Sequence, residues 1–91
     1  MIDINKKITE VKSVTEKFNK GLSLEAEILG VHEALTKLWT VSVNDSKNKE
    51  ELGRRLSNVL IGVLLLSDKF GIKNLEDDFQ KRLEDLKKEV D

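Results

Sequence analysis

A single histidine and no cysteine leave this 91-residue chain few routes to nucleophilic or metal chemistry. His32-Glu33 opens like a zinc-protease helix, but the second histidine that would complete the metal pair is missing. His32 lies beside the stripe formed by Ile28 and Leu35, so it is expected as a semi-buried packing or interface residue. No serine sits in a glycine-flanked elbow, and the five glycines are scattered singly, which excludes a phosphate-cradling loop. Trp39 is expected in the core or an interface rather than as a base-stacking platform.

Carboxylates are plentiful but poorly spaced for a shared metal. Two acids three residues apart on a helix share one face and can converge on a cation. Glu25, Glu27 and Glu33 never achieve that spacing, and neither Asp68 nor Glu33 has an acid three positions away. Glu50 and Glu51 stand together, with Arg54 and Arg55 one turn later as their solvated partners. Further acid-before-base pairs at i,i+4 are Asp77 with Lys81, Asp78 with Arg82, and Glu84 with Lys88, each worth only about 0.2–0.5 kcal/mol.

These groups must be carried on helices, because the apolar period is helical throughout. Ile4, Ile8, Val11 and Phe18 form one stripe, with Val14 beside it, after Asp3 as N-cap. Asn19-Lys20-Gly21 is a stop signal. Ser23 caps a second helix with the stripe Leu24, Ile28, Val31, Leu35 and Leu38. Positions 41–49 read as a loop, because Asn44, Asp45, Ser46 and Asn48 compete for backbone hydrogen bonds. Asn48 and Glu51 have capping-box spacing. The third helix carries Leu52, Leu56, Val59, Val63, Leu66 and Phe70, and Leu60, Ile61, Leu64 and Leu65 surround the rest of its circumference. Gly71 ends it, Asn74 caps the fourth, and Leu75, Phe79, Leu83, Leu86 and Val90 form the last stripe. Gly30, Gly53 and Gly62 read as small residues that permit close helix approach. The expectation is one all-α domain over 1–91, with helices near 4–20, 24–41, 49–70 and 75–90.

A helix apolar on all sides must be enclosed on all sides. The first and last helices are too thinly apolar to enclose the third, and a chain this short needs regular packing, metal, disulfides or a partner. A homo-oligomer, dimer or tetramer, is therefore expected. Sixteen basic against seventeen acidic residues give a net charge of −1, so no nucleic-acid partner is expected. The longest apolar run, at 59–66, is far short of the ~20 residues that span a bilayer. With no signal peptide visible, a cytoplasmic address is expected.

Several segments together resemble the MazG-like nucleotide pyrophosphohydrolases. Leu24-Glu-Ala-Glu-Ile-Leu-Gly-Val-His-Glu-Ala-Leu35 is similar to that family's helix L-x-E-E-V-G-E-L-x-E-A-L. Glu50-Glu-Leu-Gly-Arg-Arg-Leu-Ser-Asn-Val-Leu-Ile61 is similar to its E-E-L-A-D-V-L-I. The stretches Leu64-Leu-Leu-Ser-Asp-Lys-Phe-Gly-Ile72 and Leu75-Glu-Asp-Asp-Phe79 follow in the family's order, and the resemblance spans about 24–83. It implies a four-helix MazG-like bundle and a magnesium site that binds a nucleoside triphosphate and orients water, releasing pyrophosphate and a monophosphate.

The ligands that the resemblance requires are an E-x-x-E and an E-x-x-D. The first glutamate falls on Glu27, which matches and is the only retained family ligand. The others fall on Gly30, Arg55 and Asn58. Four carboxylates become one glutamate and one guanidinium whose charges cancel, and Arg55 would repel a cation. No metal and no cofactor are therefore expected, with magnesium required only if hydrolysis persists. The foremost reading is a non-hydrolysing scaffold, regulator or nucleotide-binding pseudoenzyme, with Glu27, Arg55 and Asn58 as cleft residues. Arginine grips phosphate without an ion, and asparagine reads a base or ribose edge. An active pyrophosphohydrolase and a helical protein–protein adaptor are the alternatives.

Overall fold

Four side chains start the helices. A computed structural model describes residues 3–19 and 21–90, and the side chains of 3–16 and 21–90. The Asp3 carboxylate accepts from the Lys6 N–H at 3.1 Å, opening α1 (Ile4–Asn19). Ser23 Oγ accepts from Ala26 N–H at 3.1 Å at the head of α2 (Leu24–Asn44), and Asn48 Oδ1 accepts from Glu51 N–H at 3.0 Å at α3 (Lys49–Lys69). Asn74 Oδ1 accepts from Asp77 N–H at 3.0 Å at α4 (Leu75–Val90). Each side chain satisfies one of the backbone donors a helix start leaves orphaned. At the other end of α3, Gly71 takes φ of 74°, while its N–H bonds to Asp68 O and that of Ile72 to Ser67 O. That crossed pair is a Schellman stop, which needs the left-handed glycine. Lys20 and the Phe18 side chain lie outside the described residues.

All four elements are helices, and no strand occurs among the described residues. The second helix outruns its expected end by a full turn less one residue, leaving only 45–48 as the connection. Thr36, Thr40 and Ser42 explain this. Their hydroxyls donate to His32, Thr36 and Trp39 carbonyls at 3.1, 3.0 and 2.7 Å, bonding within the helix instead of competing with it.

The short connection folds α2 and α3 back to back, the principal contact in the molecule. Val31 meets Gly62 there, so closely that a Cβ on Gly62 would lie 2.8 Å from Val31 Cγ2. Gly30 and Gly53 have nothing within 4 Å of a Cβ, so close approach is a property of Gly62 alone among those three. The facing rows are Glu27, Val31, Ala34, Leu38 and Val41 against Leu52, Arg55, Val59, Gly62 and Leu66, all half-buried. α1 lies on α3, and α4 rests on α1. The Ile4 N–H donates to Glu76 Oε1 at 3.1 Å, and Asn5 Nδ2 donates to Asn74 Oδ1 at 3.0 Å, tying the two helix starts together.

The result is an open arrangement. Leu64, 7 % exposed, and Ser67, 2 % exposed, are the only buried residues among those described. The radius of gyration is 15.0 Å, against about 12 Å expected for a chain of this length. No helix among the described residues is long and apolar enough to cross a membrane. Of the surface pairs, Asp77–Lys81 forms at 3.3 Å, whereas Arg82 reaches Glu89 at 3.9 Å and Glu84 pairs with Lys87 at 3.3 Å.

Candidate functional site

Arg55 and Asn58 do come together, one helical turn apart on α3. They line a shallow depression of about 100 Å³ with Gly30, Glu33, Ala34 and Lys37 of α2. Lys37 was not among the residues singled out from sequence, and Glu33 was weighed there only as a metal ligand. Their signal was present: 30, 33 and 37 follow the three–four spacing of one helix face. The depression holds one acid and two bases, so it is weakly cationic.

Glu27 is not part of it. It lines a separate hollow of about 270 Å³ with Lys12, Thr15, Glu16, Gly21, Leu65, Asp68 and Lys69. Lys12 pairs with Asp68 there at 3.4 Å, and Lys69 Nζ donates to Leu22 O at 2.9 Å. One Glu27 carboxylate oxygen, Oε2, is enclosed without a hydrogen-bond partner. His32 is exposed rather than semi-buried, and Trp39, 66 % exposed, is not in the core of the single chain.

Magnesium does not fit these residues. Nowhere among the described residues do three or more His, Cys, Asp or Glu side chains gather as a metal would need. Glu27 stands apart from the depression, and Arg55 places a fixed positive charge inside it.

Arg55 is itself held. Its Nε donates to Glu51 Oε1 at 2.8 Å. Arg54 grips the same carboxylate with two bonds, Nη2 to Oε1 at 2.6 Å and Nε to Oε2 at 3.0 Å. Arg54 thus pairs with Glu51 rather than Glu50, because the bidentate fork closes at three residues' spacing. This pairing uses the Glu51 side chain, so only the Asn48 half of the capping box forms.

The Arg54 guanidinium, assisted by Arg55, holds the Glu51 carboxyl below its ordinary range, against the raising effect of partial desolvation. A lowered folded-state value favours folding above the usual carboxylate range, and the benefit disappears as pH falls through the folded value. Melting temperatures of the unaltered chain and Glu51→Gln should therefore differ at neutral pH and converge in acid. A gap that stays constant from neutrality to strong acid contradicts this.

No protein-family model matches the chain, and neither a curated protein nor a solved structure matches it. The class that fold and site define is an all-helical protein with a weakly cationic depression on its central hairpin.

Proposed function

We propose that this chain is a non-hydrolysing, cytoplasmic, MazG-like helical scaffold or regulator that acts by association rather than by turnover. The observation that carries the reading is the uncovered apolar side of the α2–α3 hairpin, where Ile28, Leu35, Trp39, Leu56, Leu60 and Val63 are all exposed. Contiguous apolar surface of this kind on a small chain marks a contact site. The depression supports the same reading from the other direction. At the positions where the MazG-like resemblance requires converging carboxylates, it presents Gly30, Arg55 and Asn58, and among the described residues no other cluster of acids takes their place.

The decisive assay incubates the purified protein with a panel of nucleoside triphosphates and magnesium and follows pyrophosphate. Release no faster than in protein-free buffer is expected. Release that Glu27→Ala abolishes would overturn the non-hydrolysing reading.

One observation favours a nucleotide as a regulatory ligand: Arg55, Lys37 and Asn58 line the same depression. A phosphate there would compete with Glu51 for Arg55. Selective binding to the folded state raises the melting temperature. The ligand reading therefore expects a metal-free thermal shift with triphosphates that Arg55→Ala removes.

A further inference from the structure

Lys12 and Lys69 share a hollow with Glu27 where α1, α2 and α3 meet, yet neither pairs with it. Lys12 is engaged by Asp68 at 3.4 Å, and Lys69 Nζ donates to the Leu22 carbonyl at 2.9 Å. Glu27 Oε2 is enclosed and accepts no hydrogen bond. Among the described residues no ion pair includes Glu27. A carboxylate withdrawn from water without a donor opposes folding, so this one calls for a cation that brings donors with it.

We propose that the hollow binds a small aliphatic primary ammonium ion, whose N–H groups the Glu27 carboxylate receives. The site is separate from the Arg55 depression and does not depend on the association reading above. The terminal torsion of a glutamate is broad, so a turn of the carboxylate presents either oxygen to the hollow.

The sign of the ligand follows from the walls. Glu16, Glu27 and Asp68 face Lys12 and Lys69, three carboxylates against two ammonium groups, which leaves a formal charge of −1. A monovalent cation neutralises that charge, and an anion is repelled by it. The kind of cation follows from the spacing. The acids do not gather as a metal needs, and a divalent ion demands several converging oxygens. An ammonium group instead spreads three donors over separate acceptors. Thr15 supplies a second one: its hydroxyl donates to Val11 O at 2.8 Å and keeps its own lone pairs. The body of the ligand follows from Leu65, which is half-buried, and from the hydrocarbon stems of the two lysines. Size sets the limit. At about 270 Å³ the hollow falls just short of the roughly 300 Å³ where ordinary small-molecule sites begin. An amine of about four to six carbons fits there, and a nucleotide does not.

Titration of the purified chain with n-butylammonium chloride, read by calorimetry and by amide shifts in proton–nitrogen NMR spectra, tests the proposal. Potassium chloride at equal concentration is the control for screening. Saturable binding with a Kd of about 1 mM is expected. The amide shifts should centre on 12–16, 27 and 65–69 and spare 55–58. Tetramethylammonium, which carries the charge but no N–H donor, should bind about tenfold more weakly. Glu27→Gln keeps the shape and removes the charge, and should weaken n-butylammonium binding by about tenfold or more. Arg55→Ala should leave that binding unchanged. The proposal is overturned by titrations that fail to saturate at tens of millimolar, or that potassium chloride reproduces. Equal affinity for the two ammonium ions, undiminished affinity in Glu27→Gln, or shifts centred on Arg55 overturn it as well. If Glu27→Gln fails to fold, the two ammonium ions and the map of amide shifts decide with the unaltered chain.

Discussion

Leu64→Ala is expected to remove about 2–5 kcal/mol of folding stability, the range for emptying a well-enclosed leucine site. A chain of this length has only about 5–14 kcal/mol in total, so the loss is a large fraction of it. The reason lies in where the enclosure is. Leu64 is the one buried apolar side chain among those described. It points away from the row that meets α2, and α1 is the other helix packed on α3. Emptying the site therefore weakens the attachment of α1, and through α1 that of α4. Urea melts at one fixed protein concentration provide the check, with a lower midpoint and an unchanged slope as the expected outcome. Val14→Ala, at a residue 69 % exposed on α1, supplies the comparison and should change stability by no more than about 0.5 kcal/mol. Equal shifts for the two variants would mean that Leu64 is not the centre of the fold.

Local signals were readable from sequence because they are complete within one turn. Asp3, Ser23, Asn48 and Asn74 cap as their types dictate, and Gly21 and Gly71 take the positive φ that stops a helix. The end of α2 was misread for an equally local reason. Asn44, like Asp45, Ser46 and Asn48 after it, is a loop former by composition, but the Ser42 hydroxyl bonds back to the preceding turn and the helix continues through Asn44. Which face each helix presents was harder. Both α2 and α3 carry two adjacent apolar rows, and helical periodicity alone does not separate them. The stripes read from sequence merge the two: Val31, Leu38, Leu52, Val59 and Leu66 belong to the rows that meet, whereas Ile28, Leu35, Leu56 and Val63 are exposed. The rows that meet include Glu27, Arg55 and Gly62, whose types argue against burial until the neighbouring helix is in place.

The same ambiguity governs the site. Arg55 and Asn58 belong to one turn of α3, so their proximity is a matter of spacing alone. Glu27 is three residues from Gly30, yet the two line different hollows. Gly30 borders the rim of the depression, while Glu27 lies in the row that meets α3, where α1 also closes in. A motif alignment treats the two as one face of a helix. The third body that divides that face, α1, is invisible in the segment itself.

Gly62 and Gly30 test the packing with opposite signs. Any side chain on Gly62 begins with a Cβ 2.8 Å from Val31 Cγ2, with Val31 Cβ and Cα next at 3.8 and 3.9 Å. Valine is stiff at χ1, so Val31 cannot swing clear, and α2 must move off α3 along their main contact. Gly62→Val should destabilise by about 1–3 kcal/mol, the usual effect of overpacking, and gains only a few tenths in helix propensity. Gly30→Ala meets nothing within 4 Å and replaces a helix-interior glycine, so it should stabilise by up to about 1 kcal/mol. Adding Val31→Ala to Gly62→Val removes the opposing methyl groups and should restore part of the loss. Non-additivity of that kind is the signature of direct contact. Thermal melts of these variants and of Val31→Ala alone, against the unaltered chain, measure all of this. Strict additivity of the Gly62 and Val31 changes would mean that the two residues do not touch, and the register of the α2–α3 hairpin would have to be redrawn.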